Sequence, residues 1–493
     1  MSKIRFGRGA SSDAILLMAV KLVTTLLGLA TTRLLSEYLS KYDYGTYSQI
    51  LLIVSIASSA SILGMMDGVN YFYHASPNPE ERENNVAVIF ALQCMFGAGT
   101  GCLILLLSSP LCAYFDNPDI RPLIIFAAAL PLLQNLMQML QVMVISTGKA
   151  SLLALRNFGV SVIRLLIVLL VISSVQNVAI VLLTTLVLDI GQILLFFFVV
   201  RRAGCKIRVR KFNKEIVGKI LRYCAPMAVF TFISALNRDI DKYLVALWTD
   251  TETLAVYTNA SKLLPFDIVI TSFTTVLLPA ISKSVAAAEK DRSVQLYRSF
   301  LEIAYISTAV LCCAALSASP QLMLLLYSNK YMDGLTIFCI YIMVDMIRFS
   351  NTTMVLSAAG KTGRLMLFSV GAVALNIVLN VLLFRLIGLE GLAFATWITT
   401  LVLGVCIVLA GARELGCKLS QLFDCKFLLL FATENLALTC ILYRVQQWLE
   451  RMDVHYVLIL VIICGCYGLT MLALNGRRLL RALKRVNTYT ETN

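Results

Sequence analysis

Polar and apolar positions in this chain alternate on the scale of whole segments. Apolar runs recur from one end to the other, and a helix of roughly 20 such residues crosses a bilayer. The pattern predicts 14 spans, at 14–36, 46–68, 86–108, 120–145, 151–173, 178–200, 224–247, 256–282, 298–318, 334–358, 363–386, 389–411, 427–445 and 455–475. An all-α, polytopic membrane protein is the expected fold class.

The seventh run is not uniformly apolar. Asn237-Arg238-Asp239-Ile240-Asp241-Lys242-Tyr243 places four charges inside it. On a helical wheel, Thr231, Ser234, Asn237, Arg238, Asp239, Asp241 and Lys242 fall within roughly 200° of arc. Ile233, Leu236, Ile240 and Leu244 take the opposite side. A charge at mid-membrane costs at least about 2.5–3.5 kcal/mol on insertion scales, so it calls for a use or a partner. Two readings are open: the cations face a substrate, or Arg238 pairs with Asp241 and Asp239 pairs with a neighbouring helix.

Other spans carry polar stripes. Span 1 has Lys21, Thr24, Thr25, Gly28, Thr31 and Thr32; span 4 has Gln134, Gln138 and Gln141. Arg164 lies in span 5, Asp189 and Gln192 in span 6, and Asn259, Lys262 and Asp267 in span 8. Span 10 presents Asp345, Arg348 and Thr352. Facing inward, these stripes line a polar cleft; facing neighbours, they make interhelical hydrogen bonds worth about 0.6 kcal/mol each.

Composition agrees with the pattern: of 493 residues, 59% are hydrophobic and 14% charged, and mean hydropathy is +0.82. Soluble chains carry about 25% charged residues. The net charge of +14 sits mostly in alternate loops, including nine Lys and Arg from Arg201 to Arg222. Lys149, Lys283, Lys290, Arg292, Lys361, Arg364, Arg413, Lys418 and Lys426 continue the alternation, and Arg477, Arg478, Arg481, Lys484 and Arg485 follow the last span. The positive-inside rule then places both termini in the cytoplasm and removes nucleic acid as an explanation of the charge. The acidic gap His74–Asn85 is the exception. Basic Met1–Ala10 leads into an apolar stretch too long for a signal-peptide core, so it reads as an uncleaved first helix.

Chemistry-bearing motifs are scarce. There are 14 Cys without a C-x-x-C, and two His, His74 and His455, so no metal site is expected. Cys205, Cys417 and Cys425 fall in predicted cytoplasmic loops, and Cys112 is alone outside. Gly360-Lys361-Thr362 resembles the end of a phosphate-binding loop but joins two spans. Gly97-Ala-Gly99-Thr-Gly101 lies within span 3, where small residues permit close helix packing. No nucleotide motif survives, so neither a cofactor nor ATP hydrolysis is expected, and the short external gaps leave no room for a catalytic domain.

An internal repeat organises the spans. Gly45-Thr-Tyr47-Ser aligns with Ala255-Val-Tyr257-Thr, and Ser109-Pro110 with Ser319-Pro320. Met143 to Lys149 aligns with Met354 to Lys361 through one inserted residue. A six-span unit enters twice from the same side, the parallel-repeat plan of several transporters. The expected domains are an N-lobe at 1–200, an amphipathic linker at 201–223 and a C-lobe at 224–411, then spans 13 and 14 at 412–476 and a basic tail at 477–493. In the linker, Phe212, Ile216, Val217, Ile220 and Leu221 share one face, as in a surface-lying helix.

With these features the chain resembles the polysaccharide-unit (Wzx-type) flippases of the multidrug/oligosaccharidyl-lipid/polysaccharide exporter superfamily. The resemblance rests on 14 spans with a six-plus-six repeat and on Arg33-Leu34-Leu35 followed by Tyr44-Gly45-Thr-Tyr47-Ser. Leu221-Arg222-Tyr223-Cys224-Ala225-Pro226, Asp239-Ile-Asp241-Lys242-Tyr243 and Ala255-Val-Tyr257-Thr add to it. It implies a bacterial cytoplasmic-membrane protein that moves an undecaprenyl-pyrophosphate-linked oligosaccharide between leaflets by alternating access, for O-antigen or other surface polysaccharide. Membrane lipids, a coupling H+ or Na+, and the polysaccharide polymerase machinery are the implied partners. Headgroup contacts then fall to Arg238, Lys242 and Arg348, with Lys21, Arg33 and Arg164 behind them, since Arg is a bidentate partner for phosphate. Asp239, Asp241 and Asp345 are the ion-coupling candidates. A lipid II flippase shares this architecture. A multidrug/cation antiporter usually has 12 spans and an acidic cleft, and a glycan polymerase would need a large external loop.

Overall fold

Inside a bilayer no water bonds a stray amide or carbonyl, so a single chain crosses as helices that satisfy their own backbone. The computed structural model follows that rule: it describes residues 8–76, 78–146, 150–202, 207–287 and 289–491, and no strand occurs among them. The first residues of the basic N-terminus, Gly148-Lys149 of the repeat, and Cys205 lie outside the described residues. Two compact units divide the chain, Met1–Val256 and Tyr257–Asn493.

The first unit holds α1 (Arg8–Tyr38), α2 (Lys41–Ser61), α3 (Met65–Ala75), α4 (Pro79–Leu106), α5 (Ser108–Tyr114), α6 (Ile124–Ser146), α7 (Ala150–Ser174), α8 (Val178–Arg202) and α9 (Lys214–Trp248). Helix α10 (Thr251–Ala260) runs across the boundary. The second unit holds α11 (Asp267–Ala286), α12 (Lys290–Ser317), α13 (Ser319–Tyr327), α14 (Leu335–Ile347), α15 (Met354–Ala358), α16 (Thr362–Ile387), α17 (Leu389–Glu414), α18 (Leu419–Leu422), α19 (Cys425–Arg451) and α20 (Tyr456–Glu491).

Ten helices among the described residues are long and apolar enough to cross a membrane. The other four expected spans fall on α1, on α7 and on two interrupted segments. Span 8, predicted as one helix, breaks between Ala260 and Asp267, where Pro265 has no N–H and its ring opposes a continued helix. Span 10 is interrupted after Ile347 by a 3-10 turn over Arg348–Asn351 and resumes as α15. Span 2 runs from Lys41 to His74 with a break, because Leu63 and Gly64 both take positive φ, 45° and 68°.

The repeat is visible in the order of elements. Helices α4 and α12 both have 28 residues. A short helix, a 3-10 turn (Pro118–Leu123 or Asn329–Gly334) and a further helix follow in each copy. Lys290, Asn329 and Leu335 each lie 211 residues after their counterparts Pro79, Pro118 and Ile124.

Side-chain packing supplies the cohesion, since lipid gives apolar helices no hydrophobic drive to associate. In the first unit Met65, Phe72, Ile89, Met139, Phe196 and Cys224 share a core. Gly97 and Gly101 allow α4 to press on α6: a Cβ at Gly97 would stand 2.6 Å from Leu132 Cδ1, and one at Gly101 2.7 Å from the Ala128 carbonyl oxygen. In the second unit Ile281, Tyr297, Phe300 and Met354 pack with Ala482 and Val486 of α20. The residues read as a basic tail therefore continue a helix as far as Glu491.

Candidate substrate cavity

Helix α9 joins the expected linker helix and span 7 into one rod of 35 residues. Its start is fixed by Asn213, whose side chain accepts from the Ile216 N–H. Within the rod, Asp239 is the centre of the charged cluster. Its carboxylate accepts from Lys242 Nζ at 2.8 Å, Arg238 Nε at 3.2 Å and Ser55 Oγ of α2 at 3.1 Å. Arg238 Nη2 also donates to Ser55 Oγ at 3.3 Å. The structure replaces the expected Arg238–Asp241 pair: Asp241 is only 2% exposed, and its Oδ1 accepts the Lys242 backbone N–H at 2.9 Å. Asp239 does reach a neighbouring helix, through Ser55.

The two cations differ in what they can still do. Lys242 is 16% exposed and turned onto Asp239, whereas the Arg238 side chain is 61% exposed. Arg238 opens on a cavity of about 520 Å³ between α2, α3, α6 and α9. Ser55, Ser58 and Ser59 line it from α2, Gln134, Asn135 and Gln138 from α6, and Thr231 and Ser234 from α9. Asp67 of α3 lies on its wall as well. Asn135 is committed to structure, donating to the Ser58 carbonyl at 3.0 Å and to Ser61 Oγ at 2.9 Å.

The remaining predicted residues lie elsewhere. Lys21 is exposed on α1, and its carbonyl accepts from the Thr24 and Thr25 hydroxyls at 2.9 and 2.8 Å. That stripe is therefore partly satisfied by its own helix, a common use of Thr in helices. Arg33 pairs with Glu37 at 2.8 Å, and Arg164 stands 3.8 Å from Asp189. Arg156, which the sequence reading passed over, hydrogen-bonds Gln192 and lies over the Phe196 ring at 4.6 Å. None of the polar stripes along the chain includes it, so nothing in the pattern singles it out.

The second unit has a polar centre of its own. Asp345 accepts from Arg348 Nη1 at 2.9 Å and from the Leu264 N–H at 2.7 Å. That amide belongs to the break in span 8, so a buried carboxylate satisfies a donor the helix no longer does. Asp267 is 3.9 Å from Arg348 Nη2. Asn259 is fully buried with neither amide atom hydrogen-bonded among the described residues.

The sequence family described as polysaccharide biosynthesis protein matches residues 32–335, more than half of the chain. The chain belongs to that family. The sequence has no match among the curated proteins. Solved structures of low sequence identity share the fold of this family member. The lipid II flippase MurJ, in an inward closed conformation, superposes with a TM-score of 0.74 at 16% identity, over 94% of this chain and 100% of that one. An inward-facing multidrug resistance MATE transporter gives 0.65 at 16% identity, over 82% and 98%. A MOP superfamily transporter from Pyrococcus furiosus gives 0.60 at 15% identity, over 82% and 94%. These relatives are named as transporters and a flippase, not as enzymes. At such identities they speak for the fold alone.

Proposed function

We propose that this family member flips a polyprenyl-pyrophosphate-linked oligosaccharide from the inner to the outer leaflet of the bacterial cytoplasmic membrane by alternating access, with both termini cytoplasmic. One observation carries the reading: an exposed guanidinium, held by Asp239 and Ser55, opens on a cavity whose other polar groups are hydroxyls and amides with a single carboxylate, Asp67, on α3. A pyrophosphate needs a fork of donors, which Arg supplies bidentately. Sugars need neutral donors and acceptors in a wet interior, and the lipid tail can stay in the bilayer. Lys242 serves here by holding Asp239 in place and lending its charge. Arg348 belongs to the second polar centre, where Asp345 is the candidate for coupling to H+ or Na+. Delivery to the polysaccharide polymerase machinery is the expected next step.

Arg238→Ala should abolish export of the lipid-linked glycan while leaving the protein inserted at normal levels, and Arg238→Lys should keep part of the activity. Normal export by the alanine variant would overturn the reading. A lipid II flippase is the second reading, favoured by the greater share of this chain that superposes on MurJ than on the MATE transporter. Rescue of cells depleted of their own lipid II flippase separates the two.

A further inference from the structure

The cavity carries opposite charges at its two ends. Arg238 stands where α9 meets Ser55. Asp67 stands on α3, beyond the break at Leu63-Gly64, where α3 is pressed against an earlier part of α9. A Cβ at Gly68 would fall 2.7 Å from Cys224 Sγ, and one at Gly64 2.6 Å from the Cys224 carbonyl oxygen. Cys224 and Arg238 lie on one unbroken helix, about four turns apart, so the two charges are on the order of 20 Å from each other. The stretch between them is lined by Ser58, Ser59, Gln134, Gln138, Thr231 and Ser234. Asp67 differs from Asp239 in its surroundings: it is exposed, it lines the cavity, and among the described residues no cation pairs with it.

We propose that Asp67 reads the sugar end of the substrate. With the pyrophosphate at Arg238, a glycan several units long reaches Asp67, whose carboxylate accepts from the hydroxyls or the ammonium group of a distal sugar. A distal uronic acid would set one carboxylate against another, and such a repulsive element is how a site rejects the wrong partner. The cavity thus selects neutral or amino-sugar termini over acidic ones. This inference rests on the flippase reading and adds the substrate class. Asp67 also sits in the first turn of α3, where a carboxylate suits the helix dipole, but that structural role alone would not distinguish one glycan from another.

The test uses the full chain in liposomes with two undecaprenyl-pyrophosphate oligosaccharides of equal length, one ending in a neutral hexose and one in the matching uronic acid. Both transfer between leaflets and competitive binding are measured. The wild type should favour the neutral terminus by roughly tenfold, the order expected of two like charges about 4 Å apart in a wet site. Asp67→Asn should erase the preference by raising the acidic substrate, and Asp67→Glu should keep it. Equal wild-type handling of the two glycans, or a preference untouched by Asp67→Asn in a protein that still transports, overturns the inference and leaves the flippase reading standing. If the wild type binds and moves neither glycan, the flippase reading falls and this inference falls with it.

Discussion

At the scale of residues, the cluster on α9 is a shared carboxylate rather than a row of independent charges. Asp239, with a side chain 11% exposed, takes hydrogen bonds from Arg238, Lys242 and Ser55. Removing it strands Lys242 in a mostly buried place, which for a broken buried pair costs about 3–5 kcal/mol. Asp239→Ala should therefore lower the thermal unfolding midpoint in detergent sharply. In the double variant with Lys242→Ala, a coupling of about 0.5–3 kcal/mol should be recovered. Strict additivity would show that the 2.8 Å contact carries no energy. The wheel pattern made the cluster and its helix face legible, because charge in an apolar run is visible in any sequence. It could not rank the partners, since Asp239 and Asp241 are chemically alike and only the position of Ser55 on another helix separates them.

At the scale of elements, the spans were legible and their interruptions were not. Apolar length reports where a helix can cross, whereas a break depends on a few residues such as Pro265 or Leu63-Gly64. Gly64 shows what such a residue does. Its φ of 68° lets α3 leave α2 at an angle, and a Cβ there would also meet Met227 Cβ at 2.8 Å. Gly64→Ala should cost about 1–3 kcal/mol through backbone strain alone, whereas Gly99→Ala, with nothing within 4 Å, should leave the unfolding midpoint unchanged. The acidic gap that broke the charge alternation also resolves at this scale. Arg210 pairs with Glu80 at 2.6 Å and Lys219 lies 3.9 Å from Glu81; the Glu80 contact holds the Arg210 guanidinium pKa above its usual value. Asn84 binds the same linker through the backbone N–H groups of Arg210 and Lys211, both at 2.8 Å, and the Lys211 carbonyl at 3.1 Å. Loss of these bonds in Asn84→Ala, at about 1 kcal/mol each, should raise protease cleavage within residues 207–213, and unchanged cleavage would deny Asn84 that role.

At the scale of the molecule, the helices beyond the repeat close the second unit rather than trailing from it. Helix α20 returns Arg478 and Arg485 to one carboxylate, Glu302 of α12, which is 3% exposed. Arg478 also reaches Asp424 at 3.2 Å and lies over the Phe427 ring at 3.5 Å. Basic residues after the last span read as a cytoplasmic tail by charge alone, because nothing in the pattern reveals that a buried acid on a distant helix waits for them. Glu302→Ala should thus remove the shared acceptor and destabilise the protein by about 3 kcal/mol, seen as a lower unfolding midpoint and less monodisperse protein from the membrane. Asp424 offers a milder test with a defined sign. It caps α19, and its carboxyl is held below the usual carboxylate range by the Phe427 backbone N–H and then by Arg478. A depressed folded value means the contribution is complete above the ordinary Asp range near pH ~4 and is lost as pH falls through the folded value. Acid should therefore loosen the start of α19 in the wild type, read as hydrogen exchange at Phe427 and Leu428. In Asp424→Asn, which keeps a cap but cannot titrate, that acid-dependent rise should be absent, and an identical rise in both proteins would assign the effect to another group.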